Sequence, residues 1–100
     1  MKTLPISIPE LEIEQFCQQH FIRKLSLFGS VLRDDFTSKS DIDVLVEFLL
    51  GKTPGFKIVT MADQLSTLLG RTVDLRTPGD LSRYFRDAVI QEAMLIYEQD

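Results

Sequence analysis

Cysteine is almost absent from this 100-residue chain, where Cys17 stands alone. A single cysteine rules out an internal disulfide, and a reducing, cytoplasmic location is the expectation that follows. Histidine is equally scarce, with only His20, so no Cys/His set exists to complete a zinc site. Basic residues are outnumbered, 11 Lys and Arg against 15 Asp and Glu, leaving a net charge of −4. Broad, backbone-driven nucleic-acid binding needs a basic surface and is not expected. Binding of one nucleotide through a metal stays open, because the ion brings its own positive charge. No apolar run approaches the length of a membrane span and no signal-peptide core opens the chain, so no membrane association is expected. Internal repeats and low-complexity tracts are lacking too. What is there is ordinary for a globular protein, 44% hydrophobic and 26% charged. The length suits one domain, residues 1–100, around a modest core.

After a lead-in over Met1–Ile6, Ser7 and Glu10 stand at capping-box spacing with Pro9 between them, which predicts a helix start. Ile13, Phe16, Cys17 and His20 then recur on one helical face, so Cys17 and His20 read as packing residues. Ile22–Phe28 reads as a first strand, broken by Gly29-Ser30, with Ser30–Arg33 able to form a turn or two of helix. Asp34–Ser40 is polar connector. A second strand opens on Asp41-Ile42-Asp43 and runs to Phe48; Val44-Leu45-Val46 is apolar on both faces, as in a strand covered on both sides. Leu49–Gly55 is a loop. Ile58, Met61, Ala62, Leu65, Leu68 and Leu69 form a helical stripe ended by Gly70. Thr72–Leu75 is a short third strand, parallel to the second because a helix joins them, whereas the first two strands are expected antiparallel. Asp80 reads as the cap of a last helix whose stripe includes Leu81, Tyr84, Phe85, Ala88 and Val89. Tyr84 and Phe85 accordingly read as core, while Met94–Glu98 fits either the end of this helix or a terminal strand. Arg23, Lys24, Lys39, Arg71, Arg83 and Arg86 read as solvated, with Lys39 and Arg76 near the cleft. The fold class is therefore α/β (α+β), a small mixed sheet with flanking helices.

Two carboxylates on one face of an otherwise apolar strand repel each other and need a reason. Asp41 and Asp43 share a face, separated by about 6.5–7 Å of strand rise. If the third strand lies beside the second, Asp74 joins them. Three carboxylates converging from two strands suit a hard divalent cation, Mg²⁺ first, with its shell completed by water and substrate phosphates. Two such ions, about 3.5–4 Å apart, activate an attacking oxygen and stabilise the leaving phosphate. Gly29 permits close approach of a phosphate to the backbone. Backbone N–H groups there and the Ser30 hydroxyl are candidate phosphate donors, and Arg33 is a further candidate through charge-assisted bonds.

The joint pattern resembles the minimal nucleotidyltransferase family of the DNA polymerase β-type superfamily. The family's G-S-x10-D-x-D motif is matched by Gly29, Ser30, Asp41 and Asp43, the flanking words LFGSVLRDDF and SDIDVLVEF are close, and Asp74 within TVDL matches the third carboxylate. The resemblance covers nearly the whole chain. It implies a three-stranded mixed sheet in order 1-2-3, with ATP as substrate and two Mg²⁺ ions. Asp41 and Asp43 would bind both ions, and Asp74 would complete the site and help to activate the acceptor hydroxyl. Gly29 and Ser30 would hold the outer phosphates, and Arg33 matches a frequent arginine. It further implies an antitoxin that transfers AMP to a tyrosine of a cognate HEPN-domain ribonuclease toxin.

Two other readings compete: an antitoxin that silences its toxin by binding alone, and a nucleotidyltransferase acting on a small molecule. Larger relatives carry a further domain that grips the base or the acceptor. Its absence before Asp100 leads to the expectation of a protein acceptor that supplies this surface.

Overall fold

A computed structural model describes residues 4–99. Residues 1–3, which open the expected lead-in, and residue 100, the end of the expected domain, lie outside the described residues. Helix α1 covers Glu10–Gln19 and strand β1 Ile22–Phe28; a short 3₁₀ turn follows over Gly29–Leu32. Strand β2 is Ile42–Phe48, helix α2 Lys57–Leu69, strand β3 Val73–Arg76, helix α3 Arg86–Glu92 and strand β4 Met94–Glu98. The sheet order is β3-β2-β1-β4. β1 and β2 are antiparallel and β2 and β3 parallel, as the connections require. The sheet has four strands rather than the expected three, because the terminal segment pairs antiparallel with the free edge of β1, setting Leu27 opposite Met94 and Lys24 opposite Glu98. Among the described residues no helix is long and apolar enough to cross a membrane.

One face of the sheet carries the main core. Leu25 and Leu27 of β1 stand opposite Val46 and Val44 of β2. These residues are buried with Ile42, with Ile13, Phe16 and Cys17 of α1, and with Met61 and Leu65 of α2. Burial pushes the Cys17 thiol up to about 12, so it stays protonated and acts as a small apolar side chain. His20 meets Gln64 at 2.8 Å and ties the end of α1 to α2. The other face presents Lys24, Ser26 and Phe28 of β1 opposite Glu47, Leu45 and Asp43 of β2. Ile90 of α3 and the following Ala93 line a cavity over it with Ser26 and Leu45. That cover explains why Leu45, on the polar face, is only 3% exposed.

Two helix starts differ from the sequence expectation. No side-chain cap forms at α1: Pro9 is the N-cap residue, and its carbonyl accepts from Ile13 N–H at 2.9 Å. A residue before proline resists helical backbone, so Ile8 cannot enter the helix and Ser7 is left too far upstream to cap it. Asp80 caps a different element. Its Oδ2 accepts from Thr77 N–H at 3.0 Å and from Thr77 Oγ1 at 3.1 Å, closing a 3₁₀ turn over Pro78–Asp80. Those two bonds hold the Asp80 carboxyl below the usual carboxylate range. α3 starts only at Arg86, after Tyr84 and Phe85, which are 87% and 54% exposed instead of core. The helical stripe that would have buried them does not exist there.

β1 ends where Gly29 turns the chain with φ +75°. A Cβ at this position would lie 2.2 Å from Oδ2 of Asp43. Only glycine leaves room for that carboxylate, and only glycine adopts this backbone without strain. Gly29→Ala is expected to cost about 1–3 kcal/mol of stability from backbone strain. Denaturant unfolding should show it as a lower midpoint at unchanged slope. Leu65→Ala, in the main core, is expected to cost about 2–5 kcal/mol in the same measurement.

Candidate active site

The candidate residues gather at the end of the sheet where β1 finishes and β2 begins. β2 starts at Ile42, one residue later than expected, so exposed Asp41 sits just ahead of it and Asp43 is its second residue. Asp43 is in register with Asp74 of β3 on one side and with Phe28 of β1 on the other. Paired residues on adjacent strands share a face, so the two carboxylates stand abreast. The backbone thus places Asp74 beside Asp43, on the face opposite the main core.

The side chains then diverge. Asp43 leans over Gly29, at the close approach described above. Asp74 is taken by Arg76: Nε donates to Oδ1 at 3.0 Å and Nη2 to Oδ2 at 3.2 Å. Among the described residues, no three acidic, histidine or cysteine side chains form a ready metal cluster. The donor set itself is chemically suited to a hard cation, since all three side chains offer only carboxylate oxygens.

The electrostatics record the crowding. The Asp43 carboxyl is raised above the ordinary carboxylate value, first by burial and then by repulsion from Asp74, with a smaller push from Asp41. Arg76 and Arg33 pull it back. Arg33 exerts this pull from a distance, because its Nε is turned toward Oδ1 of Asp35 at 3.4 Å, on the exposed connector. Ser30 lies within the 3₁₀ turn, and its carbonyl accepts from Arg33 N–H at 2.9 Å. Gly29 and Arg33 also line a cavity of about 310 Å³ with Phe28, Leu32, Val89 and Glu92.

Three residues gain a place here that sequence reading did not give them. Arg71, expected to be solvated, donates from Nη2 to the carbonyls of Thr37, at 2.8 Å, and Ser40. Its guanidinium also lies 4.7 Å from the Phe36 ring centre. It therefore pins the connector immediately before Asp41. Arg76 reads from the sequence as near the cleft, and the structure sets it on Asp74. Glu92 shares a cavity with Gly29 because α3 ends there. Spacing alone carried no signal for any of these contacts.

A carboxyl raised by folding costs stability when ionised. That cost sets in as pH rises from the ordinary aspartate value through the raised one, and it persists at neutral pH. Asp43→Asn, without divalent ions, is therefore expected to melt at a higher temperature than the parent at pH 7. The gain should vanish as pH falls below the ordinary aspartate range. Thermal unfolding followed across pH checks both the sign and the window.

With this geometry in place, comparison with known proteins is specific. Residues 12–100 match the family model described as Polymerase beta, Nucleotidyltransferase. An inferred protein adenylyltransferase of Methanocaldococcus jannaschii is 37% identical over 79 residues, covering 78% of this chain and 79% of the relative. The protein adenylyltransferase MntA of Thermococcus cleftensis is 30% identical over 76 residues, 75% of each. Among solved structures, one described as a minimal nucleotidyltransferase superposes with a TM-score of 0.70 at 30% identity, over 85% of this chain and 86% of that one. A toxin–antitoxin crystal structure with AMP-PNP gives a TM-score of 0.72 at 20% identity, over 92% and 75%. A tri-AMPylated Shewanella oneidensis HEPN toxin in complex with its MNT antitoxin gives 0.63 at 21% identity, over 90% and 70%. The last two likenesses establish the fold alone. The family match spans most of the chain, and on it this chain belongs to the polymerase β-type nucleotidyltransferases, close to their protein adenylyltransferase members.

Proposed function

We propose that this chain is an antitoxin that transfers AMP from ATP to a tyrosine hydroxyl of a HEPN ribonuclease toxin. The observation that carries the reading is the register of Asp43 with Asp74 beside the Gly29 turn. That register stands two carboxylates from neighbouring strands abreast, with Asp43 against Gly29. Relatives named protein adenylyltransferases support the reaction class. Solved neighbours of the same fold hold AMP-PNP in one case and an AMPylated HEPN toxin in another, which supports the nucleotide and the acceptor.

In this reading Asp41, Asp43 and Asp74 hold Mg²⁺, which when bound supplies positive charge for the phosphates and the attacking oxygen. Gly29 and Ser30 seat the outer phosphates, with Arg33 turning from Asp35 to join them. Asp74 takes the proton of the tyrosine hydroxyl. The tyrosine oxygen then bonds to the α-phosphorus, the bond from that phosphorus to the β-bridging oxygen breaks, and pyrophosphate leaves. Asp43, on the strand that runs into the core, and Asp41 just ahead of it would hold the ion that keeps the α-phosphate in line for this displacement.

ATP labelled at the α-phosphate, Mg²⁺ and the HEPN toxin that this reading assigns as partner are the components of the test. Label is expected on the toxin, and removal of Mg²⁺ with a chelator is expected to abolish it. Asp41→Ala combined with Asp43→Ala should lower transfer by at least about 10²–10³-fold and leave the toxin active. An unlabelled toxin would refute adenylylation. A double variant that still neutralises the toxin would instead identify a protein that works by binding.

A further inference from the structure

β4 closes one side of the sheet, and its inner edge pairs with β1, from Leu27 opposite Met94 to Lys24 opposite Glu98. Among the described residues no strand pairs with its outer edge. An open edge is a row of backbone N–H and C=O groups ready to bond an extended chain, and proteins commonly blunt it with lysine or proline. β4 reads Met-Leu-Ile-Tyr-Glu and has neither. Its Met94 and Leu95 are 42% and 46% exposed, which leaves large apolar side chains at that edge.

A groove of about 540 Å³ lies along β4, between it and the start of α1. Leu4 and Ile8 give it an apolar wall facing the side chains of β4. Glu10, Glu14 and Glu98 complete the lining, with no basic side chain among the described residues. α1 itself carries no lysine or arginine. The groove therefore joins three features: unpaired backbone, apolar wall and charge of one sign. A second copy of this chain fits it poorly. Pairing β4 with another β4 would bring the same three carboxylates against one another, in a chain of net charge −4. The bulge where the register of β1 and β4 shifts, between Leu25 and Ser26, also shortens the regular edge that such stacking needs.

We infer that the outer edge of β4 is a docking site for an extended segment of a partner protein in which apolar residues alternate with lysine or arginine. The segment adds to the sheet as a fifth strand. Its backbone bonds to β4, its apolar side chains enter the groove, and its cations meet Glu10 and Glu14. Main-chain pairing supplies affinity in this mode, and the groove selects the side chains. β1 separates this edge from β2, which carries Asp43, so the docked strand does not pair with the strands of the candidate active site. The site holds whether or not the chain transfers AMP.

The test adds a short, capped peptide of alternating lysine and valine to the ¹⁵N-labelled full chain at low salt, without nucleotide. Amide resonances of Met94–Glu98 and of the first turns of α1 are expected to shift, and amide exchange along β4 to slow. The same peptide with glutamate in place of lysine should not bind. N-methylation at alternate residues, which removes one row of peptide donors, should abolish binding as well. Glu10→Gln combined with Glu14→Gln is expected to weaken binding of the lysine peptide about two- to thirtyfold, the range two exposed ion pairs supply. The backbone spectrum of this variant verifies that the fold is intact. Unmoved β4 resonances, or equal binding of the N-methylated or the glutamate peptide, would overturn the site. So would unchanged affinity in the double variant. β4 resonances that instead shift with protein concentration alone, together with a dimer in sedimentation, would assign the edge to a second copy and overturn it too.

Discussion

Repulsion between Asp43 and Asp74 is the force around which this end of the molecule is arranged. Their positions are not free to separate, because a parallel ladder fixes them side by side. The surrounding chain answers that repulsion locally. Gly29 offers a bare Cα, and Asp43 leans into the space. Arg76 folds back along its own strand and takes Asp74.

The same register is enforced from the opposite face. Ile42 pairs with Val73, the residues just before the two aspartates, and both are buried. Sliding β3 by one residue would send Asp74 into the core and Val73 to the charged face. Apolar burial under the sheet thus fixes a polar arrangement above it, and neither can be altered alone. Arg71 extends the same coupling to the connector, since it holds the Thr37 and Ser40 carbonyls from the residue two before Val73.

Much of this was legible in the residues, for identifiable reasons. β1, β2 and α2 announce themselves by alternation or helical stripe, and Gly70 closes α2 in a left-handed conformation as its position suggests. The D-x-D spacing and the Gly-Ser break bring the candidate residues together where β1 ends and β2 begins. The C-terminal third was harder. Met94–Glu98 is apolar enough to continue a helix, and only the open edge of β1 decides that it becomes a strand. Tyr84 and Phe85 look like core on a helical wheel, yet the turn capped by Thr77 and Asp80 leads into irregular chain and leaves them outside. The grip of Arg76 on Asp74 was beyond reach for a different reason. It is a choice of rotamer, and periodicity in a sequence does not report side-chain torsions.

Cys17 has a consequence outside catalysis. Its sulfur is fully enclosed and its thiol is pushed up to about 12, so it stays inert toward alkylating reagents that need an exposed thiolate. The parent protein is therefore a silent background for thiol-directed dyes and spin labels. A cysteine placed at the outward-facing Tyr84 would carry such a reporter in stoichiometric yield without first removing the native thiol.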